Sequence, residues 1–298
     1  MNFDNIIQIC KRYGCVCERD FVLAPLTSME IGGKCGLFSE PNSEECLREV
    51  LDICRLERIP YFLLGKGSNL LIKHFDGVVV KIGGNLGTFV FDGECVTAGA
   101  GGSLAALCSE TANKGLSGME CLYGIPGSVG GALYMNAGAY GSEMKDIVKS
   151  ARCVDERGEI VEISAEDMEL SYRHSVFSEN KYCILSVTIE LKRGSESEIK
   201  AKMREIAAKR RDKQPLEFPS CGSTFKRPEG YFAAALIEEC GLKGFTVGGA
   251  QVSEKHSGFV INKGGATFED VMEVVSHVKK VVRERKGVEL ECEMLILE

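Results

Sequence analysis

The chain has 298 residues, enough for two or three domains, and its 44% hydrophobic and 27% charged residues are those of a soluble globular protein. A net charge of −7 disfavours generic nucleic-acid binding through an overall basic surface. No apolar run approaches the roughly 20 residues that span a bilayer, and MNFDNIIQICKRYG at the start lacks signal-peptide form, so the expected location is cytoplasmic, away from membranes.

In chain order, residues 1–19 read as an N-terminal helical segment. SEECLREVLDICRLER at 43–58 has apolar residues at 46, 47, 50, 51, 53 and 54, the spacing of a helix, with Ser43 as N-cap. IPYFLLGKGSNLLI follows as two apolar strands around a glycine-broken loop. GVVVKIG at 77–83 and ECVTAGAG at 94–101 read as further strands. SLAALCSETANK at 103–114 reads as a helix capped by Ser103 and ended by Gly115. Residues 148–164 alternate and turn at ERG, a hairpin, and CILSVTIELKRG at 183–194 is a strand. The composition then shifts to helices at 198–211, 231–241 and 267–287. The last carries a capping pair, Thr267 and Asp270, and ends at Gly287. LECEMLILE closes the chain as a strand.

Fourteen cysteines are present but no C-x-x-C pair, and the four histidines are scattered, so a metal site is not expected. Several cysteines sit in apolar runs, as Cys183 does in KYCILSV, where a thiol acts as a small hydrophobe. In a reducing compartment they stay free.

Two glycine-rich loops remain. GKGSN at 65–69 lacks both the Walker A pattern and the third glycine of the dinucleotide fingerprint. GIPGSVGGALYMNAGAYG at 124–141 spends six of eighteen positions on glycine and carries no charge. Such loops are either ordinary tight turns or places where bare backbone closes on an anionic ligand. Two of them together favour a dinucleotide, its two phosphates on the two loops.

These loops, with SYRHSVF, PSCGSTFKRP, LIEECGLKGFTVGGAQVSEKHSGFVIN and the terminal GVELECEM, resemble the UDP-N-acetylenolpyruvoylglucosamine reductase (MurB) family, in order from about residue 20 to the end. The resemblance is to its short-loop (type II) subgroup, because KYCILSV follows Arg173 within nine residues and leaves no room for the longer loop that covers the substrate. It implies an α+β fold: a two-lobed FAD-binding region of the PCMH/vanillyl-alcohol-oxidase type at 20–194, with lobes at about 20–82 and 83–194. An α+β substrate domain follows at 195–298, its last strand free to pack back on the FAD lobe.

The resemblance further implies non-covalent FAD, NADPH as co-substrate, and reduction of UDP-N-acetylglucosamine-enolpyruvate in peptidoglycan synthesis, by a protein expected to be a monomer. Carried over residue by residue, the FAD contacts are Gly65, Gly67, Ser68, Asn69, Gly127, Ser128, Gly131, Asn136 and Gly138. Ser223 matches the proton donor; outside its motif, it would read as a turn residue after Gly222. Arg173 matches the arginine that steadies the substrate carboxylate, and by itself would read as an ion pair with Glu169 or Glu179. Glu293 matches the catalytic carboxylate, with Glu289 and Glu291 at the same strand parity. Lys213, Arg227, Lys255 and Lys263 are the candidates for the UDP phosphates. Another FAD oxidoreductase of the same superfamily, acting on a hydroxy acid, would share the glycine loops and lack the GS-x-F-K-x-P and terminal glutamate motifs.

Overall fold

The structure is a computed structural model that describes residues 1–298. The chain divides into two compact units, and neither is a continuous stretch.

The first unit comprises residues 1–21, 36–66 and 76–209. Its first sheet has the strand order Val16–Arg19, Cys35–Glu40, Phe75–Lys81, Tyr61–Leu64. The last two run parallel, with Leu63 opposite Val80, and their connection contains the GKGSN loop. Its second sheet is antiparallel throughout, in the order Ile160–Ser164, Val148–Val154, Cys183–Glu190, Cys95–Gly99, Phe89–Asp92. Helix Glu44–Leu56 forms where the 3.6-residue spacing places Leu47, Val50, Leu51 and Cys54 on one buried face, and the Ser43 hydroxyl accepts from Cys46 N at 3.2 Å as its cap. These side chains join one core with Ile6, Leu37, Val78, Val80, Val96, Leu107 and Val187. Each such side chain, fully buried, contributes about 1.5–3 kcal/mol.

The second unit comprises residues 22–35, 67–75 and 210–298. A three-stranded antiparallel sheet, Thr246–Val247, Ala250–Val252 and Val260–Asn262, is covered by helix Phe268–Lys286. That helix starts at a complete capping box between Thr267 and Asp270 and stops at Gly287, whose φ of 68° is left-handed. Its Val271, Val274, Val275, Val278 and Val282 pack with Leu71, Phe225, Ile237, Val252 and Met294.

Three expectations need correction. Residues 1–19 are not only helical: helix Asp4–Tyr13 is followed by strand Val16–Arg19, which pairs with Cys35–Glu40. The division at 194/195 moves to between Lys209 and Arg210. The reason is that helix Glu196–Lys213 places Ile199 and Met203 in the first core. Segments 22–35 and 67–75, assigned by sequence to the FAD lobe, cluster instead with the C-terminal residues. The terminal strand Leu295–Leu297 explains part of this, since it pairs in parallel with Leu70–Ile72. All fourteen cysteines are free and most are buried.

Candidate functional site

In the first unit the two glycine segments meet. A Cβ on Gly65 would stand 2.6 Å from Ser128 Oγ, so the start of GKGSN lies directly on the start of the second segment. Ser128 is buried, and its hydroxyl caps the short helix Val129–Tyr134 by accepting from Gly131 N at 3.2 Å. The glycines differ in what they exclude. A Cβ on Gly130 would be 2.8 Å from Ala100 Cβ, so that glycine serves packing. One on Gly138 would meet Glu143 Cγ at 2.5 Å and Ser142 O at 2.7 Å, within the hairpin formed by Gly138–Ala139 and Ser142–Glu143. Gly131 is the exception. It is exposed between buried neighbours, and a Cβ there would meet only the capping hydroxyl, at 3.2 Å. The protein's own packing presents only this one close contact here, whereas a ligand lying on the backbone would exclude a side chain outright.

Asn136, expected as a cofactor contact, has its side chain engaged within the protein. It is fully buried, and its side chain is spent on the protein: Nδ2 donates to Glu143 Oε2 at 2.9 Å and to Ser171 O at 2.8 Å, while Oδ1 accepts from Lys145 N at 2.9 Å. Ser171 opens the turn that carries Arg173. Ser171 and His174 exchange both backbone hydrogen bonds, each at 3.2 Å. Arg173 has a left-handed φ of 55°, its guanidinium lies over the Tyr172 ring at 4.9 Å, and Nη2 is 3.4 Å from Gly138 O. A left-handed non-glycine residue is uncommon and costs energy. Asn136 (φ 41°) and Tyr140 (φ 53°) show the same conformation in the adjoining glycine segment.

Sequence reading missed two lysines beside these loops. Lys66 Nζ donates to Ser103 Oγ at 2.9 Å, and Ser103 bridges to Ser128. Lys81 Nζ donates to Gly65 O at 3.3 Å. Burial, the larger effect, and the charge of Lys66 pull the Lys81 pKa below its ordinary value, against the opposing pull of Glu40. Both had a signal: Lys66 stands inside GKGSN, and Lys81 interrupts an apolar strand.

The second unit holds Ser223 and Glu293. Residues 224–226 pair antiparallel with 291–293, through Glu293 N to Thr224 O and Lys226 N to Glu291 O, both at 2.8 Å. Ser223 is therefore one residue from the partner of Glu293. Thr224 locks this arm: it is buried, its N donates to Gly258 O at 2.8 Å, and its Oγ1 accepts from Val260 N at 2.9 Å. Gly67 and Asn69, on either side of Ser68, support the same arm. Asn69 Nδ2 donates to Glu293 O at 3.0 Å, and Asn69 O accepts from Leu295 N at 2.9 Å. Ser28 N donates to Gly67 O, and Ser220 N to Ser28 O, both at 3.0 Å. Gly67 itself is required by its φ of 61° and by Leu26 O, which would stand 2.1 Å from a Cβ.

Glu289 and Glu291 of the closing segment form surface ion pairs. Glu289 meets Arg283 at 2.9 Å, and exposed Glu291 meets Lys226 at 3.5 Å. Glu293 is the partly buried one on the arm of Ser223. Of the candidate cations, Lys255 is engaged, donating to Arg211 O at 2.8 Å and lying 3.6 Å from Glu217. Arg227 lies over the exposed Phe232 ring at 4.7 Å. Lys213 and Lys263 are exposed.

Cys221 precedes this arm. It is buried, its Sγ donates to Leu70 O at 3.2 Å, and burial pushes its pKa up to about 12. Such a thiol is inert. Cys221→Ser, which keeps a donor for Leu70 O, is expected to retain bound flavin and turnover; loss of turnover with flavin intact, in a steady-state assay, would assign the thiol a chemical role.

Comparison with known proteins places these observations in a family. Residues 214–297 match the model of the UDP-N-acetylenolpyruvoylglucosamine reductase C-terminal domain, and residues 36–164 match an FAD binding domain. The chain is 48% identical over 269 residues to the UDP-N-acetylenolpyruvoylglucosamine reductase of Clostridium perfringens (strain SM101 / Type A), covering 90% of this chain and 88% of that one. It is 48% identical over 272 residues to the reductase of the same name from Clostridioides difficile (strain 630), covering 91% and 90%. Among solved structures, UDP-N-acetylenolpyruvylglucosamine reductase (MurB) from Thermus caldophilus is similar with a TM-score of 0.83 and 34% identity, over 95% of this chain and 100% of that one.

Proposed function

Because the chain belongs to the UDP-N-acetylenolpyruvoylglucosamine reductase family, we infer from that membership, as its function, the reduction of the enolpyruvyl double bond of UDP-N-acetylglucosamine-enolpyruvate to UDP-N-acetylmuramate. It is an FAD-dependent oxidoreductase of peptidoglycan synthesis, with NADPH as reductant. Its fold is the two-lobed FAD-binding type followed by the family's C-terminal domain.

The first unit fits FAD. The observation that carries this is Gly131, an exposed glycine in a buried run whose missing side chain leaves open backbone. We assign the diphosphate to backbone at Gly65, Gly127, Ser128 and Gly131, with Lys66 and Lys81 as the nearby charge. Gly67, Ser68 and Asn69 continue that loop, and Gly138 shapes the hairpin beyond it. Bound there, FAD would supply the hydride chemistry that links NADPH to C3 of the enolpyruvyl group.

The chain's own residues then manage charge and proton. Hydride arriving at C3 leaves negative charge at C2 that spreads into the carboxylate. Arg173 balances it, because a guanidinium stays charged and its fork matches a carboxylate. Ser223 Oγ–H gives its proton to C2. A serine hydroxyl is a poor acid, and the positive charges of Lys226 and Lys213, near it in sequence, lower the cost of the alkoxide. Glu293 is the carboxylate of the site, on the strand that pairs with the arm of Ser223. Lys213, Arg227, Lys255 and Lys263 are assigned to the UDP phosphates, with Lys255 the weakest of these because of its existing partners.

No helix is long and apolar enough to cross a membrane. We place the protein in the cytoplasm, as a monomer.

The test is anaerobic. NADPH is expected to bleach the bound flavin, and UDP-N-acetylglucosamine-enolpyruvate to restore its absorbance with formation of UDP-N-acetylmuramate. Bleaching by a hydroxy acid and not by NADPH would select the hydroxy-acid oxidoreductase reading instead.

A further inference from the structure

We propose that Asn136 and Ser175 are positioning residues that hold Arg173 for its work. The inference rests on the reading of Arg173 as the group that meets the substrate carboxylate.

Both side chains are fully buried. Asn136 Nδ2 donates to Ser171 O at 2.8 Å. Ser175 Oγ donates to Tyr134 O at 2.7 Å. The turn Ser171–His174 is thus tied to the glycine segment at its first residue and again just beyond its last. Arg173 lies between the two ties. The other two hydrogen bonds of Asn136, to Glu143 Oε2 and from Lys145 N, fix its amide to the hairpin that includes Gly138. That hairpin supplies the carbonyl 3.4 Å from Arg173 Nη2.

The ties matter because of the backbone they restrain. An arginine in an untethered turn relaxes out of the left-handed region. Such a change swings the whole side chain. A guanidinium that is to meet a carboxylate through its fork has little tolerance for that, since a displacement of about 1 Å can cost on the order of 100-fold in rate. Asn136 is also suited to its own left-handed φ of 41°, which asparagine adopts more readily than most residues.

The experiment uses the FAD-loaded protein and two variants, Asn136→Gly and Ser175→Ala. Glycine tolerates the left-handed backbone, so the first variant deletes the amide without adding strain. Ser175→Ala is expected to keep flavin and its reduction by NADPH, and Asn136→Gly, at an expected FAD contact, is compared after saturation with added FAD. Both are expected to slow reoxidation by UDP-N-acetylglucosamine-enolpyruvate by roughly 10–100-fold. Neither should slow Arg173→Ala further when combined with it, because a positioning effect vanishes with the residue positioned. A second readout needs no turnover: hydrogen–deuterium exchange at residues 171–174 should accelerate in both variants, with residues 129–134 still protected.

Normal reoxidation, or a loss that adds fully to that of Arg173→Ala, would overturn the proposal, as would unchanged exchange at 171–174. If Arg173→Ala itself reoxidises normally, the catalytic reading of Arg173 falls, and the exchange data separately report whether the ties hold the turn.

Discussion

Ser223→Ala is expected to leave flavin reduction by NADPH almost unchanged and to slow flavin reoxidation by the enolpyruvyl substrate by about 10²–10⁴-fold, the usual contribution of a positioned general acid. The first half-reaction needs no proton from Ser223. In the second, loss of the donor leaves the enolate free to return the hydride from C3. The structure makes this a clean substitution. Ser223 is only partly buried, and its hydroxyl holds no other part of the protein. Thr224 is the contrasting neighbour. Buried, and bonded through N, O and Oγ1 to Gly258, Glu293 and Val260, it carries the architecture of the arm. Thr224→Ala orphans the Val260 amide and should lower stability by about 1–3 kcal/mol. Stopped-flow absorbance of each half-reaction decides the matter. Equal slowing of both halves in Ser223→Ala would mean a structural role, and an unslowed second half would remove Ser223 as the proton donor.

Gly131→Val is expected to give a folded protein without FAD. Its Cβ would meet only Ser128 Oγ, at 3.2 Å, a close contact with a hydroxyl and not with backbone, and the side chain would stand over the backbone assigned to the diphosphate. Gly130→Ala should behave in the opposite way. Its added Cβ would press on Ala100 Cβ, which is fixed to backbone and cannot rotate aside, and overpacking of this kind costs about 1–3 kcal/mol. Visible absorbance of the purified proteins and thermal unfolding of their apo forms separate the two effects. A Gly131→Val protein with full flavin absorbance would refute the phosphate assignment for this loop. One that fails to fold would show that Gly131 serves packing after all.

Local structure was legible in the sequence wherever a local cause sufficed. Helix Glu44–Leu56 with its Ser43 cap, helix Phe268–Lys286 with its Thr267–Asp270 box, and the hairpin from Val148 to Ser164 are set by periodicity, caps and turn residues within the segment itself. The family was legible too, because its motifs are contiguous strings that survive without knowledge of the fold. The same matching selected Glu293 among the closing glutamates. Parity alone leaves Glu289, Glu291 and Glu293 equivalent; tertiary structure adds that Glu291 and Glu293 both lie on the segment paired with 224–226, the first exposed and the second partly buried. The unit boundary also depended on tertiary structure. Segments 22–35 and 67–75 join the C-terminal residues through strand pairing and hydrogen bonds across more than two hundred positions, such as Leu295 to Asn69, and no local pattern encodes a partner so distant. The glycines make the same point at single-residue scale. In the sequence, Gly130 and Gly131 are adjacent and identical. In the fold one faces Ala100 and the other, exposed, faces only the Ser128 hydroxyl, because successive helical positions point about 100° apart and only the surroundings decide which direction is occupied.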